Sequence, residues 1–222
     1  TQQRNFKNRY TFVIPGVGVK QKKFMPVEAD DKKALRKKNN LNEDDFILVY
    51  AAEYIHRKNH QFLIHAVPQL KQKIPNLKIL LAGRGRLMEE IKTEIEGLNL
   101  ADTVLQLGFR TDIDEIYKLA DVGVSTSRQE GLGLNLVEEM MCGLPIVATM
   151  DRGHKEVIDH SLNGFLFEQG NKEKFIESII KLYNDQISYN NMSKEAIRKS
   201  KKFELKNCMK EMKKIYSQFL DV

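Results

Sequence analysis

Residues 121–149 read DVGVSTSRQEGLGLNLVEEMMCGLPIVAT, and this stretch decides the fold. Val122 and Val124 form a short apolar run that breaks at Ser125. A polar, glycine-containing loop follows. Leu134, Val137, Met140 and Met141 then recur at helical spacing until Gly143-Leu144-Pro145 stops the pattern. The order is strand, loop, helix, turn, strand, with the second strand at 146–149.

Glu130 stands in the loop and Glu138 about one turn into the helix, with Gly131 and Gly133 between them. Glycine lets a backbone approach a ligand closely. The first amides of a helix lack intrahelical partners and carry the positive end of its dipole, so a diphosphate fits there. A carboxylate on each side can accept hydrogen bonds from vicinal hydroxyls. The implied ligand has a phosphate centre with sugars on both sides.

EGLGLNLVEEMMCGLPIVAT resembles the E-x7-E signature of the retaining family 4 glycosyltransferases, E-G-(F/L)-G-(six variable)-E-(A/E)-M-(A/M)-x-G-x-P-(V/I)-(V/I)-A. The resemblance implies that Glu138 binds the ribose diol of a nucleotide sugar and that Glu130 faces the transferred sugar. It also implies that the loop of Gly131 and Leu132, with amides of Gly133, Leu134 and Asn135, holds the diphosphate. Further on, Gly153 and Glu156 match the Gly and Glu that follow the last strand of the motif.

Upstream, FILVYAA (46–52) is a continuous apolar run of the kind buried on both faces of a parallel sheet. The loop EYIHRKNH follows, then a helix over about 61–73. In the resembled family this loop reads G-R-L-x-x-x-K-G, with arginine and lysine both on the donor diphosphate. Lys58 matches the lysine, Glu53 occupies the arginine position and Asn59 that of the glycine. Arg57 is the candidate to replace the lost arginine. LKILLA (77–82) is the next strand, closed by Gly83-Arg84-Gly85, which serves either as a tight strand-to-helix turn or as the family's G-x-G beside the donor phosphates. A strand over 103–107 ends in Gly108, and the resemblance makes Phe109 and Arg110 the candidates beside the nucleotide base. TFVIPGVGVKQKKF (11–24) resembles the family's entry strand and N-G-V-D-x-x-x-F, which puts Gly16 near the substrate.

His56, His60 and His65 lack an acidic or cysteine ligand to complete a set and read as surface histidines. Asp112 and Asp114 form an Asp-x-Asp triplet at the start of a helix, where acids favour the dipole and cap. Metal-independent transfer with no cofactor is expected.

The chain has 222 residues, 41% hydrophobic, with a net charge of +6 spread along its length, and reads as a single domain over 1–222. Both signs mix, and the Lys194–Lys202 cluster lacks interleaved aromatics, so no nucleic-acid partner is expected. Cys142 and Cys208 are too few and too far apart for a disulfide framework or zinc site, which fits a reducing cytoplasm. No apolar run approaches the roughly 18 residues of a membrane span. TQQRNFKNRY is not a signal peptide, and peripheral contact with the inner membrane face stays open.

Strand and helix alternate about six times, so the expected fold is α/β: a Rossmann-like doubly wound parallel sheet with C-terminal helices. By resemblance it is the C-terminal half of a GT-B glycosyltransferase, with the helix at about 203–222 reaching back to an N-terminal domain absent here. The resemblance implies transfer of a hexosyl residue, with retention, from a UDP-sugar or another nucleotide sugar to a glycan or lipid-linked acceptor in capsule or exopolysaccharide synthesis. The alternatives are an enzyme like UDP-N-acetylglucosamine 2-epimerase, whose relatives lack the EGLGLNLVEEM pattern, and a fragment that binds nucleotide sugar without turning it over.

Overall fold

In the computed structural model, which describes residues 12, 14, 16 and 18–219, the side chains of β1 (Phe46–Ala51) are buried from Ile47 to Tyr50. Successive strand residues point to opposite faces. Ile47 and Val49 accordingly join one apolar cluster, and Leu48 and Tyr50 join another. Five further strands complete the sheet: β2 (Leu77–Ala82), β3 (Val104–Gly108), β4 (Val122–Ser125), β5 (Ile146–Thr149) and β6 (Gly164–Phe167). Their order is β3-β2-β1-β4-β5-β6, and every pair is parallel.

Helices cover both faces, as a sheet apolar on both sides requires. α1 (Ala29–Lys38), α4 (Ile113–Leu119) and α5 (Leu134–Met141) lie on one face; α2 (His60–Lys73), α3 (Met88–Gly97) and α7 (Lys172–Asn184) lie on the other. α6 (Arg152–Val157) carries the chain from β5 to β6. α8 (Gln186–Ser200) packs on both α7 and α5, and α9 (Leu205–Tyr216) follows it. The doubly wound α/β sheet matches the expectation. Strand order reverses between β1 and β4, so the loops after these strands flank the crevice where such sheets take ligands.

The sequence suggests a charged helix covering the surface over 26–40 and a turn at Asn163-Gly164 ahead of a last short strand, and the structure corrects both placements. The charged segment of 26–40 is not mere surface cover: Arg36 of α1 is buried, its Nη2 lies 2.9 and 2.7 Å from the Asp121 oxygens, and its Nε donates to the Leu119 carbonyl at 3.0 Å. Asp121 also accepts the Ile47 N–H at 2.8 Å, so one ion pair ties α1, β1 and the start of β4. The turn expected at Asn163-Gly164 lies at 161–163, and the positive φ falls on Ser161 (65°). Gly164 instead enters β6, where a Cβ would stand 2.2 Å from the Ile146 carbonyl oxygen. The strand expected over 11–14 falls largely outside the described residues.

Candidate functional site

The loops after β1 and β4 are tied together. Tyr50 ends the buried run of β1, and its hydroxyl donates to the Lys58 carbonyl at 2.6 Å. Thr126 donates to the same carbonyl at 3.2 Å and to that of Asn59 at 2.9 Å, and the Arg128 N–H donates to the Arg57 carbonyl at 2.8 Å. Asn59, standing where the resembled family has glycine, is left-handed at φ 52°. Asparagine tolerates that region better than other side chains, which explains the exchange.

Two cavities open on this rim. The first, of about 710 Å³, is lined by Ala51, Glu53, Gly83, Phe109, Arg110, Tyr117, Asn135 and Glu138, among others. Its floor depends on glycine. Gly83 has φ 148°, its N–H donates to the Gly108 carbonyl at 2.8 Å, and a Cβ would stand 1.9 Å from the Ala52 carbonyl oxygen. Phe109 is 65% exposed with the Arg84 guanidinium 5.1 Å from its ring centre, so this wall offers a flat aromatic and cationic surface. Arg110 is turned to Asp112, with bonds of 2.7 and 2.6 Å. Burial pushes the Glu138 carboxyl up to about 7, partly offset by Lys23 and Tyr117.

The second cavity, of about 620 Å³, is lined by Arg57, Arg128, Gln129, Glu130, Gly131, Asp151 and Arg152. Lys58 Nζ pairs with Glu130 Oε1, and Arg57 Nη1 donates to the Gln129 carbonyl at 2.6 Å and to Glu130 Oε2 at 3.4 Å. Burial alone would raise the Glu130 carboxyl, but the Lys58 bond holds it below its ordinary value. The structure thus places Glu138 and Glu130 in separate cavities, with α5 starting between them. Gly133 stands at the N-cap of α5 with φ 81°, and the amides of Leu134 and Asn135 precede the first i−4 carbonyl of that helix. Gly16 (φ 96°) packs on Leu132, whose Cδ2 would be 2.8 Å from an added Cβ.

Several buried groups behind this loop escaped the sequence reading. Asp151 caps α6 by accepting the His154 N–H at 2.8 Å and accepts the Glu130 N–H at 2.6 Å, so α6 holds the loop. His154 is buried, its Nδ1 donates to the Thr149 carbonyl at 2.7 Å, and burial lowers its pKa. The only local signal was an Asp two residues after a strand, three before a buried histidine. Glu139 is the larger surprise. Its side chain is fully buried against Gly123, neither oxygen has a partner at hydrogen-bonding distance among the described residues, and burial followed by the Glu138 charge pushes the carboxyl well above its ordinary value, with a smaller opposing influence from the nearby Asn135 side chain. Replacing a buried unpartnered carboxyl with an apolar side chain of similar length should stabilise the fold, so Glu139→Met is expected to gain about 1–3 kcal/mol. Urea titration of both chains checks this; a loss would reveal a partner for the carboxyl.

His60 is not a surface residue: it is buried, stacked on Tyr54 at 4.3 Å and 7°, and burial lowers it to about 4. His65 pairs with Glu94. Asp112 stands at the N-cap position of α4 without a side-chain cap bond, because Arg110 holds its carboxylate. Asp114 pairs with Lys118 at 3.0 Å and Lys23 at 3.3 Å. Among the described residues no group of three His, Cys, Asp or Glu side chains could hold a metal ion.

A family model described as Glycosyl transferases group 1 matches residues 31–199. The chain belongs to the group 1 glycosyl transferases. It is 39% identical over 209 residues to a putative glycosyltransferase, EpsD, of Bacillus subtilis (strain 168), covering 94% of this chain and 55% of that one. It is 29% identical over 214 residues to the UDP-Gal:alpha-D-GlcNAc-diphosphoundecaprenol alpha-1,3-galactosyltransferase of Escherichia coli, covering 95% and 54%. This group 1 chain therefore spans about half the length of the curated relatives it matches. Its fold superposes on Anabaena Alr3699/HepE, solved in complex with UDP, with a TM-score of 0.82 at 24% identity, over 90% of this chain and 56% of that one. The neighbours are GT-B glycosyltransferases, and the six-stranded parallel sheet is of their Rossmann-like kind.

Proposed function

We propose that residues 1–222 are the donor-binding domain of a retaining hexosyltransferase. It moves a sugar from a nucleoside diphosphate, UDP first among the candidates, to a glycan or lipid-linked acceptor in surface-polysaccharide synthesis. The single observation that carries this is the arrangement around α5: a glycine-floored cavity holding Glu138 on one side, the Glu130–Lys58 pair on the other, and a helix start between them. The E. coli relative's name specifies a UDP-Gal donor and a diphosphoundecaprenol acceptor, and the Anabaena structure holds UDP.

In this reading the base lies against Phe109 and Arg110, Glu138 accepts from the ribose hydroxyls, and the diphosphate rests on the amides of Gly133, Leu134 and Asn135. Gly83, Gly131 and Leu132 give the backbone room. Lys58, with three N–H donors, bridges Glu130 and a donor phosphate. The reaction breaks the anomeric C–O bond, and charge develops on the departing nucleoside diphosphate. Lys58 and the helix amides meet that charge, which is where most of the rate enhancement arises. Glu130 stabilises positive charge on the sugar, and the acceptor attacks the face from which the diphosphate leaves.

The apolar side chains Met209 and Tyr216 stand exposed on α9, where the rest of a longer polypeptide would cover them. Most of the acceptor site is assigned to that part, so the chain alone binds donor without turnover. Among the described residues no helix is long and apolar enough to cross a membrane. A lipid-linked acceptor would be met at the cytoplasmic membrane face.

Thermal-shift screening with UDP- and GDP-sugars tests the reading. A true donor at 100 times its Kd stabilises the fold by ~2.7 kcal/mol; no shift with any sugar nucleotide would overturn it.

Glu138 gives the binding a pH signature. Its folded pKa of about 7 lies above the ordinary 4.5, so between these values the folded chain binds more protons than the unfolded one. Stability therefore falls as pH rises through that window, and Glu138→Gln flattens the fall. UDP affinity moves the other way: diol hydroxyls donate to the carboxylate, so binding tightens as pH rises through about 7. Calorimetry at several pH values checks both slopes.

A further inference from the structure

The second cavity differs chemically from the first, and its charge is not balanced from within. Arg57, Arg128 and Arg152 reach it from the loop after β1, the loop after β4 and the start of α6. Against them stand Glu130 and Asp151. Glu130 is already paired with Lys58 and, at 3.4 Å, with Arg57. Asp151 uses one oxygen on the His154 N–H and the other on the Glu130 N–H. Among the described residues neither Arg128 nor Arg152 has a carboxylate within ion-pairing distance, and both are exposed.

The backbones that carry Arg128 and Arg152 are held in place. The Arg128 backbone is fixed from both sides, its N–H donating to the Arg57 carbonyl at 2.8 Å and its carbonyl accepting from Gln169 Nε2 at 2.5 Å. Arg152 precedes Gly153, at which a Cβ would stand 2.5 Å from the Glu130 carbonyl oxygen, so its backbone is pressed against the loop. Converging like charges repel unless water or an anion lies between them. A guanidinium fork matches the two oxygens of a phosphate or carboxylate, which an ammonium does not.

We propose that this cavity is a second anion site, taking a phosphate or carboxylate carried by the molecule beyond Glu130: the acceptor, or the transferred sugar itself. The place of this anion in the reaction rests on the donor reading above; the anion site does not. Arg57 then serves this second anion rather than the diphosphate, which Lys58 and the α5 amides meet.

The test uses the 222-residue chain and its Arg128→Ala/Arg152→Ala double variant, in calorimetry. In the acceptor arm, UDP-saturated chain is titrated with glycerol 3-phosphate. In the donor arm, UDP-glucuronate is compared with UDP-glucose. The expected result is binding of glycerol 3-phosphate, or a preference for the glucuronate, that falls about tenfold or more in the double variant, while UDP affinity stays within about twofold. The arm that responds identifies the source of the anion. No response in either arm, or equal responses in both chains, overturns the proposal. Should UDP itself give no heat, the donor reading fails separately, and the glycerol 3-phosphate titration, run without UDP, still decides the anion site.

Discussion

Lys58→Ala is expected to weaken UDP binding by about 1.5–3 kcal/mol, the scale of a hydrogen bond to a charged group. In the whole enzyme it should lower kcat by about 100-fold, the scale for removing one preorganised donor from a developing anion. The reason is position. The Lys58 backbone is gripped by the hydroxyls of Tyr50 and Thr126, its side chain is 13% exposed, and its ammonium touches Glu130. Removing it leaves Glu130, 9% exposed, with only the longer Arg57 contact. The variant should therefore also lose stability, because an acid deprived of its partner in a half-enclosed site costs free energy. Lys58→Arg keeps the charge but not the compact ammonium, and should recover stability more fully than binding. UDP titration and urea unfolding of the three chains separate the two effects.

Gly83→Ala is expected to cost about 3–5 kcal/mol, at the severe end for a single substitution. The added Cβ would stand 1.9 Å from the Ala52 carbonyl oxygen, and φ of 148° already disfavours an L side chain. Ala52 follows directly on β1, whose hydrogen bonds to β2 fix it, so the clash cannot be relieved by a rotamer change. A melting temperature lower by roughly 10 °C follows from the usual size scaling. Gly131→Ala is the control: nothing lies within 4 Å of its added Cβ, and stability should be unchanged within ~0.5 kcal/mol. Equal melting temperatures for the two variants would show that the glycine floor does not carry the close packing assigned to it.

What could be read in the sequence was what depends on local order. FILVYA announced a strand buried on both faces, and EGLGLNLVEE announced a loop opening into a helix with acids on either side, because periodicity and glycine placement are local properties. The partners of those groups are not local. Tyr50 looked like one more apolar strand residue, and its role appears only when the fold brings the Lys58 carbonyl to its hydroxyl. Glu139, one residue from Glu138, could not be told from it by type; the helical rotation between them sends one into a cavity and the other against Gly123. Arg36, among lysines on a charged helix, and His60, between polar residues, were misplaced on the surface for the same reason. Each is buried by a tertiary partner, Asp121 and Tyr54, distant in sequence or hidden in a loop.

The central claim is that Glu138 grips a ribose diol. Calorimetric titration with UDP and with 2′,3′-dideoxy-UDP, on the native chain and on Glu138→Ala, tests it most directly. The native chain should prefer UDP by about 2–4 kcal/mol, and Glu138→Ala should bind the two nucleotides alike. A preference for UDP that survives in Glu138→Ala, or its absence in the native chain, would contradict the account.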